Sequence, residues 1–170
     1  MGHYSPAQKP QVLADAAEAE ASCIVRHFGP MLFGAGGYTR IMLCYQGMSG
    51  VACATALMLA LFRQTGITVE MAYVRKDGEY SHGTDIETEM KSTHWTGCSG
   101  EQEYTVIFVD DFISSGRTAN ITLRKLAEKI TVHRKVYICQ FNGAVRGLKY
   151  GSLKTMLSRE YINASRLKLV

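Results

Sequence analysis

Four short apolar runs punctuate the chain: RIMLCY (40–45), ITVEMAYV (67–74), YTVIFV (104–109) and KVYICQ (135–140). Their length and their β-branched and aromatic content predict strands. Between them, apolar residues recur every three or four positions. That spacing predicts a helix over residues 10–28 (PQVLADAAEAEASCIVRHF), with Pro10 near its start and Gly29-Pro30 as its stop. A second helix is expected over Val51–Gln64, after a GMSG turn at 47–50, with Ser49 as N-cap and Gly66 as terminator. A third covers Thr118–Ile130. Apolar strands separated by helices belong in a covered parallel sheet. The expected class is therefore α/β, an open, mainly parallel β-sheet flanked by helices on both faces.

Two segments break the alternation. Residues 75–103 form a long polar connection without helical periodicity, and connections of that length are commonly lids, binding loops or disordered. After Gln140 the pattern holds one short helix, Ser152–Tyr161, and then INASRLKLV (162–170), read as a strand. GAGGY (34–38) follows no strand and lacks the full G-x-G-x-x-G, so it reads as a flexible connection. No repeat or linker divides the chain, and 170 residues at 46% hydrophobic suit a single domain over 1–170.

Composition narrows the setting. The longest apolar stretch, Val51–Phe62, is too short to span a membrane. The start MGHYSPAQKP has neither the order of a secretory signal nor Ser or Thr at position 6 for myristoylation. The five cysteines are odd in number and lack C-x-x-C spacing, which fits reduced core thiols and a cytoplasmic location. The five histidines lack H-x-x-x-H spacing, so no protein-built zinc site is expected. Net charge is only +4 but uneven: Glu79–Asp111 holds eight acidic residues against Lys91 alone, and Thr131–Val170 holds eight Lys or Arg against Glu160 alone. These are either two solvated faces or a basic tail that meets an acidic subunit surface or a polyanion such as nucleic acid.

The chemistry concentrates in VIFVDDFISSGRTA (106–119). Asp110 and Asp111 stand together where an apolar strand ends, and two like charges there cost stability. In open α/β sheets, ligands bind at the carboxyl ends of the strands. The turn that follows enters a helix whose first free N–H groups attract phosphate. Gly116 permits close approach, and Ser114, Ser115 and Thr118 add hydroxyls. Phosphate in the turn, with vicinal hydroxyls donating to the two acids, describes a phosphorylated sugar.

The thirteen residues Val106–Thr118 resemble the fingerprint of the type I phosphoribosyltransferases: an apolar strand, two acids, two apolar residues, then a Ser- or Thr-rich turn with Gly and Thr. YQGMSGVACATALMLA (45–60) is similar to that family's first strand-to-helix loop, and AYVRKDGEYSHG (72–83) to the strand entering its mobile loop, most closely in the orotate type. The resemblance covers a core of about 38–140 and leaves the first helix and the tail as variable parts. It implies that Ser114, Ser115, Gly116, Arg117 and Thr118 hold the 5′-phosphate of phosphoribosyl pyrophosphate (PRPP). Asp110 and Asp111 would hold the ribose hydroxyls. Gln46, Gly47, Arg75 and Lys76 would hold the pyrophosphate, Gln46-Gly47 often through a cis peptide. Asp110, Asp111 and Lys76 are then the catalytic candidates. Mg²⁺ is the implied cofactor, bound chiefly by ligand oxygens and waters and reached indirectly by Asp110 and Asp111. A homodimer is implied as well. The sequence departs from the pattern twice: Glu79 and Tyr80 stand where orotate enzymes carry a further lysine, and Ser114 where enzymes of 6-oxopurines place an acidic base.

The reaction so implied is attack of a nucleobase nitrogen on C1 of the ribose as pyrophosphate leaves, through an oxocarbenium-like transition state. Positioning and neutralisation of charge are then the protein's tasks. Two competing readings are a PRPP-sensing regulator of the same fold whose basic tail binds nucleic acid, and a hydrolase of phosphosugars. Phe141, Tyr161 and Trp95 are candidates for stacking on the base.

Overall fold

The computed structural model describes residues 9–33, 40–76, 78–79, 85–88, 104–130, 132, 135–142, 148–158 and 167–169, the side chains of 30–33 excepted. Strands β1 (Arg40–Tyr45) and β5 (Lys135–Gln140) coincide with their apolar runs. β2 (Glu70–Val74) is the later part of its run, and β4 (Tyr104–Asp110) extends to the first acid. With β3 (Ile86–Thr88), β6 (Lys149–Ser152) and β7 (Lys168–Leu169) they form one sheet of order β3-β2-β1-β4-β5-β6-β7. Its centre, β2-β1-β4-β5, is parallel, and β3, β6 and β7 add antiparallel edges.

Period-two alternation divides each central strand between two cores. Leu43 and Tyr45 of β1, Ile107 and Val109 of β4, and Tyr137 and Cys139 of β5 pack under α1 (Pro10–Phe33) and α2 (Gly47–Thr65). Met42, Cys44, Val106, Phe108, Val136 and Ile138 pack on the opposite face with α3 (Arg117–Ala127) and α4 (Leu153–Leu157). Both faces are thus covered by helices, which is why these strands read as continuous apolar runs.

Several expected boundaries move. α1 passes through Gly29-Pro30 to Phe33. Pro30 has no N–H to give the helix, while the buried stripe Ala17, Ala21, Ile24 and Phe28 keeps the helix docked. GMSG is the first turn of α2 rather than a turn before it. Gln46, extended at φ −142° and ψ 144°, is the N-cap, and Ser49 lies inside the helix. Gly47 at φ +71° turns the chain directly from strand into helix. Gly66 ends α2 as expected, left-handed, with its N–H on the Phe62 carbonyl at 2.7 Å. Val51–Phe62 understates this element, since α2 as a whole, 19 residues, is long and apolar enough by length and composition to cross a bilayer. Here Gly50, Cys53, Ala54, Leu57, Ala60 and Leu61 bury one of its faces in the domain.

The connection 75–103, read as loop, contains β3, which pairs with β2. β6 (KYGS) was likewise not foreseen, and β7 falls inside the predicted INASRLKLV strand. Short antiparallel edges are buried on few sides and need no apolar run. α4 starts where expected, with Ser152 Oγ accepting the Thr155 N–H at 3.1 Å. GAGGY, Tyr80, Trp95 and Tyr161 lie outside the described residues.

Candidate active site

β1 passes its chain over one face of the sheet through α2 to β2, and β4 passes its chain over the other face through α3 to β5. The crevice between the carboxyl ends of β1 and β4 is therefore a topological switch point. Gln46-Gly47 leave β1 there, and Asp110-Asp111 close β4. Ser49 joins the two: its Oγ donates to Asp110 Oδ1 at 3.3 Å. The Asp110 and Asp111 carbonyls accept the N–H groups of Phe141 (3.1 Å) and Asn142 (2.7 Å), so the acid pair sits on backbone fixed to the end of β5.

Asp110 Oδ1 also accepts the Asp111 N–H at 2.9 Å. Burial, and next the side chain of Asp111, push the Asp110 carboxyl up to about 7. Hydroxyl donors or a cation from outside would favour the ionised form of Asp110. Burial above all, with Asp111 and Asp110 adding to it, pushes the nearby Cys53 thiol up to about 12, which makes it a core residue and not a nucleophile.

Beyond the acids, Gly116 is buried at φ +73° and ψ 10° and serves as the N-cap of α3 without any side-chain cap. The N-cap glycine offers no side chain to the first N–H groups of the helix, and Ser115 Oγ accepts the Arg117 N–H at a long 3.4 Å. A cavity of about 130 Å³ opens at this turn, lined by Asp110, Phe112, Ser114, Ser115, Gly116, Arg117 and Thr118 among others. The turn and Asp110, the first acid of the pair, share one cavity.

The end of β2 stands beside the end of β1, with Tyr73 paired to Tyr45. Gln46 Nε2 and Lys125 Nζ both donate to the Arg75 carbonyl, at 3.2 and 2.9 Å. A Cβ on Gly47 would stand 3.9 Å from Lys76 Cε, so Lys76 lies along the first loop. The Arg75 guanidinium turns elsewhere: it pairs with Glu87 of β3 and lies over the Tyr73 ring, 5.7 Å from its centroid. The four residues expected around pyrophosphate are neighbours: Gln46 bonds the Arg75 carbonyl and Gly47 faces Lys76, while the Arg75 guanidinium is engaged by Glu87. Every peptide bond in the described residues is trans, Gln46-Gly47 included.

No protein-family model matches the sequence, and no curated protein does. Solved structures do. An HGPRT-ase from Leishmania tarentolae in complex with GMP is similar at TM-score 0.51 and 12% identity, over 83% of this chain and 69% of that one. The chain has the type I phosphoribosyltransferase fold. An orotate phosphoribosyltransferase from Francisella tularensis aligns at TM-score 0.48 and 16% identity, over 75% of this chain and 50% of that one. A hypoxanthine phosphoribosyltransferase from Trypanosoma cruzi aligns at 0.49 and 13%, over 75% and 57%. This chain thus spans half the length of the Francisella protein.

On this phosphoribosyltransferase fold, Phe141 is a core residue at the end of β5 and not a stacking surface. Trp95 and Tyr161 lie outside the described residues. Among the described residues no group of three His, Cys, Asp or Glu side chains is placed to hold a metal. The hard oxygens of Asp110 and Asp111, the former raised in pKa by burial and by its neighbouring acid, fit a Mg²⁺ that takes most of its ligands from substrate and water. Ser49, Phe112, Glu87 and Lys125 join the site without having been foreseen. Phe112 alone carried a signal, as one of the two apolar residues between acids and turn.

Proposed function

We propose that this chain transfers the 5-phosphoribosyl group from PRPP to a nucleobase with release of pyrophosphate, in nucleotide salvage or synthesis, as a single domain in a homodimer. The observation that carries the reading is Asp110, the first acid of the pair at the switch point, lining one cavity with a helix N-terminus whose N-cap is a glycine. In this reading Ser114, Ser115, Gly116, Arg117 and Thr118 bind the 5′-phosphate, and Asp110 and Asp111 accept hydrogen bonds from the ribose hydroxyls. Gly47 and Lys76 meet the pyrophosphate, with Gln46 and Arg75 beside them. Bound Mg²⁺ would offset charge on the leaving pyrophosphate. Lys76 adds a fixed cation on the same side, and the ribose, held at two points, presents C1 to the base. The Leishmania protein's GMP is a nucleoside monophosphate, the product class this reading expects. Buried Cys44, Cys53 and Cys139, all free, support a reducing, cytoplasmic setting.

Incubation with PRPP, Mg²⁺ and a panel of bases should yield pyrophosphate and one nucleoside monophosphate. The double variant Asp110→Asn/Asp111→Asn should fold and lose PRPP binding. Undiminished PRPP affinity in that folded variant would refute the assignment. The second reading, a PRPP-sensing regulator with a nucleic-acid-binding tail, draws on the Arg75–Glu87 pair and on Ser114 at the position of an acidic base. PRPP binding without turnover for any base would favour it.

A further inference from the structure

Lys125 belongs to none of the motifs above, yet it enters the frame of the site. It stands near the C-terminal end of α3, the helix whose N-terminus forms the phosphate turn. Its ammonium donates to the Arg75 carbonyl at 2.9 Å, and Gln46 Nε2 donates to the same oxygen at 3.2 Å. Both lone pairs of that carbonyl are thereby engaged. Arg75's own N–H is fixed by the Asp85 carbonyl at 2.8 Å. The doubly bonded oxygen belongs to the peptide immediately before Lys76, whose side chain lies along Gly47. A lysine late in a helix ordinarily serves the helix's own carbonyl end. Lys125 instead reaches a different element, and its charge makes the bond stronger than a neutral donor would.

We propose that Lys125 is a positioning residue. It sets Lys76 and Gly47 for the leaving pyrophosphate and ties that placement to α3, whose other end holds the sugar phosphate. This inference rests on the phosphoribosyl reading above. Two parts of one substrate are then held by the two ends of one helix, so its docking fixes their separation.

Lys125→Met keeps the stem and removes the ammonium, and Lys125→Arg restores a cationic donor. Lys125→Gln, a shorter neutral donor, serves if the methionine variant does not fold. Calorimetric binding of pyrophosphate and of ribose 5-phosphate, each with Mg²⁺, is compared with amide exchange at Arg75 and Lys76 in the unliganded chains. Lys125→Met should weaken pyrophosphate binding about tenfold or more, leave ribose 5-phosphate binding unchanged, and speed exchange at Lys76. Lys125→Arg should recover both. Unchanged exchange and unchanged pyrophosphate affinity in Lys125→Met would overturn the proposal. So would equal loss of both ligands in a variant with wild-type melting. A wild-type chain that binds neither ligand defeats the phosphoribosyl reading itself, and the exchange rates then decide separately whether Lys125 fixes this junction.

Discussion

Asp110 is the residue on which stability and function pull in opposite directions. Its carboxyl, ordinarily near 3.8, is raised to about 7 by burial and by Asp111. The native state therefore keeps a proton that the unfolded chain has already released. No penalty exists below the unfolded pKa. It grows as pH rises from 3.8 to about 7 and is fully present above. Asp110→Asn removes the titration, so its melting temperature should exceed that of the wild type at pH 8 and converge with it near pH 4. Substrate hydroxyls and Mg²⁺ favour the ionised acid, so PRPP binding should tighten as pH climbs through about 7. A wild type and an Asp110→Asn variant with parallel melting-versus-pH curves would show that another group titrates. The acid pair was legible in the sequence because paired charges after V-I-F-V have no use in a core. Ser49 was misread because a serine near a helix start fits a cap equally well, and only the fold brings it to Asp110. Glu87 and Lys125 lie on elements far along the chain from the residues they hold, so no local spacing could reveal them.

At the scale of elements, the site exists because α2 comes down onto the ends of β1 and β4. Gly50 allows it: a Cβ there would stand 3.2 Å from Tyr45 Cβ and 3.5 Å from the Val109 carbonyl oxygen. Gly50→Val should lift the start of α2, destabilise by about 1–3 kcal/mol through overpacking, and weaken PRPP binding by drawing Ser49 away from Asp110. Gly66, at the other end of the same helix, supplies the control. It is left-handed at φ +70° with nothing within 4 Å of an added Cβ. Gly66→Ala should cost about 1–2 kcal/mol from backbone strain alone and leave PRPP binding intact. Urea titrations and PRPP calorimetry on both variants check this; equal loss of ligand affinity would mean that stability, not geometry, governs binding. The central strands were legible because each is buried on both faces, and α3 because Leu123 and Leu126 fall on its core side. The strand β6 was not, since KYGS at a sheet edge is pinned by its backbone pairing with β5 and not by an apolar pattern.

At the scale of the whole molecule, the alternation of strands and helices sufficed for the fold class, whereas the expected homodimer rested on resemblance alone. α2 offers a surface on which it can be tested. A helix apolar on all sides is normally buried on all sides. With one face in its own core, α2 still shows solvent Met48, Leu59 and Phe62, exposed by 84%, 47% and 53%. Together with Ala52 and Thr55 they follow the four-three spacing of a helix–helix seam. The stripe carries no charge, and Arg63 at its edge is paired with Glu18 of the same chain, so two copies can meet without like-charge repulsion. The stripe is also nearly symmetric about its middle. In an antiparallel two-fold contact Thr55 opposes Thr55, Ala52 opposes Leu59, and Met48 opposes Phe62, with the small residues letting the helices approach at the axis. Its length, about 21 Å of helix, suits the apolar centre of an interface that buries about 800 Å² per partner. Sedimentation equilibrium should find the wild type dimeric and Leu59→Lys/Phe62→Lys monomeric. Because neither residue belongs to the buried face of α2, the fold should survive. Thr55→Cys should give a disulfide-linked dimer on oxidation, since the axis brings the two sulfurs together. A wild type that stays monomeric at high micromolar concentration, or a dimer that forms undisturbed in the double lysine variant and never cross-links through position 55, would remove α2 from the interface.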